Sequence, residues 1–322
     1  TIIITTRSTE YAYNYSVDWG DESDIEENLT ADASHTYDDP GTYTVTISGT
    51  FPQTYFEYNN SDSAKLVELK QWGDIAWQSM YYAFYQAENM VSTASDRPDI
   101  RLVTDMEGVF GDAALFNQDI SDWDVSSVTS MNATFLNAKA FNQPVGKWNM
   151  SNVTNTRYMF SGTDVFNQPL NDWDMSKVEN MEYMFARTKA FNQPLDKWDV
   201  SSVTIIRDLF IQSVFNQPIG NWDLSNAEVL YAIFQESAFD QDISAWQISH
   251  VTDLRELFRD SALSITHYDV VLNAWSQQDV VDGVLFDADN VQYSSAAQAA
   301  HKKLTDDHGW KITDGGCIDC AP

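Results

Sequence analysis

Residues 166–185 read FNQPLNDWDMSKVENMEYMF, and variants of this phrase recur along the chain. The Trp residues of successive copies form a column with a spacing of 25 residues three times and then 24 residues twice. They are Trp123, Trp148, Trp173, Trp198, Trp222 and Trp246. A fixed period of this size is typical of solenoids, in which each coil packs only against its neighbours. The repeat therefore predicts an extended array, and such arrays present a long surface that suits binding.

The segment around Trp173 predicts one short strand per coil. Leu170, Trp173 and Met175 have the L-x-x-L-x-L spacing of a leucine-rich repeat strand, with Trp in the middle place. Successive side chains of a strand point to opposite faces. Asp172 and Asp174 should therefore point outward onto a concave sheet, while the Trp, Phe and other apolar columns point inward as core and not as a ligand platform. The Asn and Gln of Phe-Asn-Gln should form a ladder of stacked amides that satisfies backbone groups where each coil turns.

The residues after this strand predict a short helix. Ser176 and Glu179 are separated by the spacing of a helix-capping box. Val178, Met181 and Phe185 follow the i, i+3, i+7 pattern of one helical face. The predicted fold class is an α/β repeat solenoid, a leucine-rich-repeat-like right-handed coil of short strands and short helices with an N-terminal β cap and a C-terminal helical cap.

The repeats divide the chain into three regions. Residues 1–64 precede them, residues 65–263 hold about eight coils of mostly 24–25 residues, and residues 264–322 follow. Ser264 begins an amphipathic pattern that predicts a serine-capped helix with apolar positions at Ile265, Tyr268, Val271, Leu272 and Trp275. This region is expected to cover the open apolar end of the array, as repeat proteins require for solubility.

The amino-acid composition limits the classes of molecule that the chain can bind. The formal charge is −30, from 48 acidic and 18 basic residues, and it would repel nucleic-acid phosphates and anionic lipid. Divalent cations or a high-salt habitat fit this balance better. No stretch approaches the roughly 18–20 apolar residues of a membrane span. We therefore expect no nucleic-acid partner and no membrane insertion. The cysteines, Cys317 and Cys320, either close a small loop or link the chain to further domains.

The recurring phrase resembles the repeats of BspA-type leucine-rich repeat surface proteins, in which Phe-Asn-Gln is followed by Trp-Asp-Val-Ser. Several columns carry the likeness together across residues 102–260. Upstream, residues 17–21, VDWGD, and residues 41–46, GTYTVT, resemble strands of a PKD-like β-sandwich. The resemblance implies an extracellular or bacterial cell-surface location and a role as a secreted adhesin.

The outward positions beside each Trp form the predicted ligand-binding face, and we call them the Trp-flanking face. It comprises Asp122, Asp124, Lys147, Asn149, Asp172, Asp174, Lys197, Asp199, Asn221 and Asp223. In the column before each Trp, opposite charges alternate between neighbouring coils, which favours cross-strand pairing.

Three carboxylates of the column after each Trp, Asp174, Asp199 and Asp223, should stack about 4.8 Å apart on neighbouring strands. Their repulsion, roughly 3.5 kcal/mol per pair at an effective dielectric of about 20, requires an offset. One explanation is hydrogen bonds from backbone N–H groups or serine hydroxyls in the following turn. The other is a bridging Ca²⁺, the one candidate cofactor. Asp18, Asp21 and Glu22 form a second candidate cluster.

No catalytic constellation is visible in the sequence. Neither a zinc-protease motif nor a nucleophile motif occurs. The histidines are scattered along the chain, at His35, His250, His267, His301 and His308. We therefore predict a non-catalytic adhesin region that binds an extracellular protein or glycan through the concave sheet, with calcium dependence left open. The alternative is a structural spacer or a self-association module, such as a calcium-mediated homodimer.

Overall fold

The structure, a computed structural model, describes residues 1–56 and 60–321. Its strands are β1 (Ile2–Ile4), β2 (Asn14–Asp18), β3 (Glu26–Leu29), β4 (Ala33–His35), β5 (Thr46–Thr50), β6 (Glu68–Leu69), β7 (Val91–Ser92), β8 (Asp253–Leu254), β9 (Leu285–Asp287) and β10 (Lys311–Thr313). Its α-helices are α1 (Ile265–Trp275) and α2 (Gln298–Lys302), with a 3₁₀ turn at Ser63–Lys65 and a π-helical turn at Lys303–Asp307. None of the described helices is long and apolar enough to cross a membrane.

The residues before the repeats form two small antiparallel sheets with a core of their own. β1 pairs with β4, and β2 lies between β3 and β5. Along β2, Tyr15 and Val17 are buried between more exposed neighbours, and they pack with Trp19 and Phe51. The likeness of this region to a PKD domain stays a prediction, and residues 57–59 of the predicted 1–64 region lie outside the described residues.

The predicted α/β repeat solenoid is wrong, because the described repeats contain no helix and only minimal strands. In place of the predicted helix, residues 181–187 form consecutive turns. We call these turns and their equivalents in the other repeats the turn ribbon. The N–H groups of Met181, Tyr183 and Phe185 donate to carbonyls of the next repeat at N···O distances of 2.8, 3.0 and 3.0 Å. The intervening N–H of Met184 donates back to Met181.

Backbone angles exclude a helix in the turn ribbon. Tyr183 and Arg187 both have a left-handed φ of 57°, and equivalent residues of the other repeats also have positive φ. Consecutive turns, like a helix, return every third or fourth side chain to one face. The i, i+3, i+7 pattern therefore could not separate the two conformations.

The predicted strand around Trp173 is also absent. The N–H of Trp173 donates to the carbonyl of Leu170 at 3.1 Å and closes a turn. Buried Leu170, Trp173 and Met175 still alternate with exposed Asp172 and Asp174, as predicted. Alternation sets only the side-chain directions and does not require a ladder partner.

Neighbouring repeats are joined instead by isolated parallel bridges at the start of each turn ribbon. One run of bridges links, in order, Asp105, Ser130, Asn155, Asn180 and Ile205. The surface expected to be a concave sheet of Trp-flanking strands is therefore a row of turns, and the ladder lies elsewhere in the repeat.

Aromatic columns fill the core of the repeats. Phe160 stacks on Phe166 of its own repeat, with ring centroids 4.1 Å apart, and on Phe185 of the next repeat at 5.7 Å. The indole N–H of Trp173 donates to the carbonyl of Val145 in the preceding repeat at 3.0 Å. Both columns are buried, so the prediction that they are core and not a ligand platform is confirmed.

The Asn and Gln of the recurring phrase form the amide ladder that the sequence predicts. The N–H of Asn167 and the side-chain amide of Gln168 both donate to Oδ1 of Asn142 in the preceding repeat, each at 3.0 Å. The ladder ends at Asp240, whose Oδ1 accepts the N–H of Ser264 at 2.9 Å. The last acid of the column thus anchors the start of α1.

The C-terminal region is not the predicted helical cap. A helix is present where Ser264 predicts one, and its buried positions are Tyr268, Val271, Leu272 and Trp275. However, β9 pairs in parallel with β8, and β10 with β9, so parallel pairing continues to the last strand. Strands this short carry too little pattern to be recognised in a sequence. Residue 322 lies outside the described residues.

Candidate functional site

All ten residues of the Trp-flanking face are exposed, and the Trp column between them is buried. The face is set by turns that recur at each repeat. Ring centroids of Trp173 and Trp198 in neighbouring repeats are 6.3 Å apart, and the two rings are stacked. The face thus presents polar side chains in register along a buried aromatic stack.

The carboxylates after each Trp bind the turn that follows them. Oδ1 of Asp174 accepts the N–H of Ser176 at 3.1 Å and its hydroxyl at 2.6 Å. Asp199 accepts the same two hydrogen bonds from Ser201 at 3.0 and 2.6 Å. The hydrogen bonds from Ser176, its hydroxyl first, lower the pKa of Asp174 below its usual value. This geometry matches the first of the two explanations that the sequence left open.

The structure does not bring Asp174, Asp199 and Asp223 together as a metal site. Among the described residues, the one group of three or more His, Cys, Asp or Glu ligand atoms lying within 4.8 Å of one another is Cys317, Asp319 and Cys320. Those two cysteines form a disulfide, so that they close a small loop. Calcium binding by the three aspartates stays the alternative explanation.

The column before each Trp pairs partly as expected. Nζ of Lys197 lies 2.8 Å from Oδ1 of Asp172 in the preceding repeat. Oδ2 of Asp122, by contrast, lies 3.6 Å from Nη1 of Arg97. The side-chain amide of Asn221 donates to the carbonyl of Asp196 at 2.6 Å. The face therefore mixes paired and free polar groups.

The aspartates of the second candidate cluster, in the N-terminal β region, also make hydrogen bonds within the turn, and Asp21 makes one further contact with His35 of β4. Oδ1 of Asp18 accepts the N–H of Gly20 at 2.9 Å. Asp21 contacts the hydroxyl of Ser23 and the ring of His35, each at 2.6 Å. These hydrogen bonds, that of Ser23 first, lower the pKa of Asp21 to about 2.

One serine, histidine and aspartate meet at the start of α1. Nδ1 of His267 lies 2.6 Å from Asp240 and 3.4 Å from the hydroxyl of Ser264, which itself donates to Asp240 at 2.7 Å. A nucleophilic relay requires serine and aspartate on opposite ring nitrogens. Here both face the same nitrogen, which fits a helix cap.

Arginines and lysines of the repeats lie on different surfaces, a division that the repeat pattern did not predict. Within residues 102–263 every arginine lies in the turn ribbon, namely Arg157, Arg187, Arg207, Arg255 and Arg259, while the lysines lie outside it. Arg157 stacks over Tyr158 at 4.6 Å and pairs with Glu182 at 2.7 Å. Arginine suits such stacked and paired positions better than lysine. The division is visible in the sequence only once the ribbon is known.

Comparison with known proteins places the repeats in a family. Residues 78–197 and 181–294 each match the family model described as Mycoplasma protein of unknown function, DUF285. The two matches overlap and together cover more than half of the chain. The chain belongs to the DUF285 family. No curated protein and no solved structure matches it.

The DUF285 matches contain the whole Trp-flanking face, residues 122–223. They also contain the turn ribbons from Asp105 to Asp253. The family description names no activity, so a function for this DUF285 protein has to be argued from its own side chains.

Proposed function

We propose that the chain is a non-catalytic ligand-binding region of a secreted or surface bacterial adhesin. Its ligand is an extracellular protein or glycan, and the contact surface is the Trp-flanking face. The observation that carries this proposal is that all ten side chains of that face are exposed beside a buried aromatic column.

Preorganisation supports this role. Exposed Asp124, Asp174 and Asp199 are each held by a hydrogen bond from the serine hydroxyl two residues on, at 2.6 Å. Side chains fixed before binding lose less conformational entropy on association. A row of such groups in register suits a ligand that also has a repeating or extended surface.

A charge-reversal experiment tests the face. The full chain would be immobilised and screened against a glycan array and a panel of matrix proteins, with Lys147→Glu/Lys197→Glu as the variant. We expect the double variant to bind the selected ligand about tenfold more weakly, since interface charges are complementary. Lys139→Glu/Lys189→Glu makes the same change of charge outside the face. Equal losses in both double variants would reject the face as the binding surface.

A spacer or self-association role is a second candidate. It is favoured by the ladder of backbone hydrogen bonds and stacked rings that joins successive repeats and resists bending. Light scattering with Ca²⁺ and with chelator separates the candidates. A calcium-dependent dimer favours self-association, whereas a monomer in both conditions favours a ligand face.

A further inference from the structure

The last parallel bridge of the described chain joins Tyr293 to Cys317. The N–H of Tyr293 donates to the carbonyl of Gly316 at 3.2 Å, and the N–H of Ile318 donates back to the carbonyl of Tyr293 at 2.9 Å. Asn155, within the repeats, has bridge partners in both neighbouring repeats, whereas Cys317 has one among the described residues. The end of the ladder therefore lacks the support that a following repeat gives to an earlier bridge.

A disulfide between Cys317 and Cys320 closes the chain directly after this bridge. Both cysteines are partly exposed, Ile318 between them is 56% exposed, and Asp319 is exposed. None of these four residues belongs to the buried core clusters. A thiol in solution can therefore reach the sulfur atoms without unfolding the protein. Exposed disulfides are reduced more readily than structural ones.

Asp319 connects this disulfide loop to the segment that leads into α2. Its Oδ1 accepts the N–H of Ser295 at 2.5 Å, and its Oδ2 accepts the hydroxyl of Ser295 at 3.1 Å. The N–H of Gln298, where α2 begins, in turn donates to the carbonyl of Ser295 at 3.4 Å. A carboxylate that accepts an N–H makes a strong, charge-assisted hydrogen bond. The loop thus holds the entry to α2 in place.

The segment held by the loop is part of the core at this end of the array. Ala297 and Leu304, on the two sides of α2, are 0% exposed, and Ala300 within α2 is buried. The ring of His301 stacks on Tyr293, with ring centroids 4.5 Å apart. Tyr293 therefore contacts both the disulfide loop and α2, and loosening the loop loosens the segment that buries these side chains.

We propose that the Cys317–Cys320 disulfide is a thiol-exchange site that a dithiol reduces, and that reduction loosens the C-terminal end of the array. A thiolate of the dithiol attacks one cysteine sulfur and forms a mixed disulfide, while the other cysteine leaves as a thiolate and takes up a proton. The second thiol of the reagent then attacks the mixed disulfide. The dithiol becomes a disulfide, both cysteines become thiols, and two electrons have passed to the protein.

Charge narrows the class of dithiol. The chain carries a formal charge of −30, so it repels anionic thiols, and an uncharged dithiol reacts without that penalty. The site is separate from the Trp-flanking face, so its test does not depend on the proposed function.

The length of the loop sets the size of the effect. The disulfide closes a loop of four residues, 317–320, and restricts this segment in its opened form. The chain-entropy relation for a loop of this length corresponds to about a twentyfold change in the equilibrium between closed and opened forms. Amides that exchange only from the opened form should therefore exchange about twentyfold faster after reduction.

Dithiothreitol, an uncharged dithiol, is the probe for this site. The full chain would be treated with it under native conditions, free thiols would be counted by alkylation and mass spectrometry, and amide exchange would be followed by NMR. We expect both cysteines to be alkylated without denaturant and the amides of Ser295 and Ile318 to exchange about twentyfold faster. The amide of Phe234, which donates to the carbonyl of Leu257 at 3.1 Å within the repeats, is the internal control and should not change.

Two variants separate the disulfide from the carboxylate. Cys317→Ser/Cys320→Ser should show the fast exchange at all times, with no response to dithiothreitol. Asp319→Asn keeps the disulfide and weakens the hydrogen bonds to Ser295. It should speed exchange of the Ser295 amide in the oxidised protein, while the Ile318 amide stays slow until the disulfide is reduced.

Three results would overturn the proposal. Cysteines that resist dithiothreitol until denaturant is added would make the disulfide a permanent structural link. Unchanged exchange of the Ser295 and Ile318 amides after reduction would show that the loop does not control the end of the array. Equal acceleration of the Phe234 amide would show that reduction destabilises the whole chain and not its C-terminal end.

Discussion

Replacing Asp208 by Asn should stabilise the protein at neutral pH. Asp208 is 4% exposed, and burial raises the pKa of its carboxyl to about 6 although a hydrogen bond from Tyr183 lowers it. The pKa of this carboxyl is higher in the folded state than its unfolded value of 3.8. The neutral carboxyl therefore contributes its full stabilisation below pH 3.8, and this contribution is lost as the pH rises towards 6. Asn cannot ionise and avoids this loss.

The pKa difference sets the size of the effect. A shift of about two units corresponds to about 3 kcal/mol in total, of which about 1.4 kcal/mol falls above pH 5. Working above pH 5 also keeps the protein away from its isoelectric point near 4.1. The free energy of unfolding of Asp208→Asn minus that of the wild type should therefore grow by about 1.4 kcal/mol between pH 5.0 and pH 7.5.

Urea unfolding followed by circular dichroism at several pH values measures this difference. Asp279→Asn, at an exposed carboxyl, is the matched control and should show no such growth. A difference for Asp208→Asn that stays constant with pH would refute the reasoning. It would mean that the carboxyl is ionised in the folded state at pH 5 as well as at pH 7.5.

Three further changes have defined outcomes. Trp173→Phe removes one of the two hydrogen bonds that the carbonyl of Val145 accepts and leaves the one from the N–H of Trp148, so urea unfolding should show a loss of about 0.5–1.5 kcal/mol from the hydrogen bond. Asp240→Asn weakens the charge-assisted contact of Asp240 with His267, which should lower the stability at neutral pH by about 1 kcal/mol and speed amide exchange in α1. Calcium should leave the melting temperature within about 1 °C of the value in chelator, because the candidate aspartates already accept serine hydrogen bonds. A bound metal at about one hundred times its Kd would add about 2.7 kcal/mol to the free energy of unfolding and would contradict this prediction.

The sequence pattern predicted correctly which side chains of the candidate site are exposed, but it predicted the wrong backbone hydrogen bonding for them. The alternation around Trp173 was enough to place Asp172 and Asp174 at the surface. The same alternation was mistaken for strand pairing. A hydrogen-bonded partner depends on the neighbouring repeat, and no local pattern specifies which segment supplies it.

The break in the bridges between Ile205 and Val229 shows the same limit. Aliphatic residues in a column of Asn and Asp are visible in the sequence, but the column matters only once it is known to cap the turn ribbon. The unpaired N–H of Ile206 has no sequence signal of its own. It follows from the missing bridge to the neighbouring repeat.

The sequence by itself determined the period of the repeats, the buried Phe and Trp columns, the amide ladder and the exposed positions beside each Trp, because burial of recurring apolar residues requires only their spacing. The tertiary structure alone decided the backbone path. It placed residues such as Tyr183 in left-handed turns and moved the ladder from the Trp segment to the turn ribbon. Helices and consecutive turns bury the same side chains, and only hydrogen bonds between repeats distinguish them.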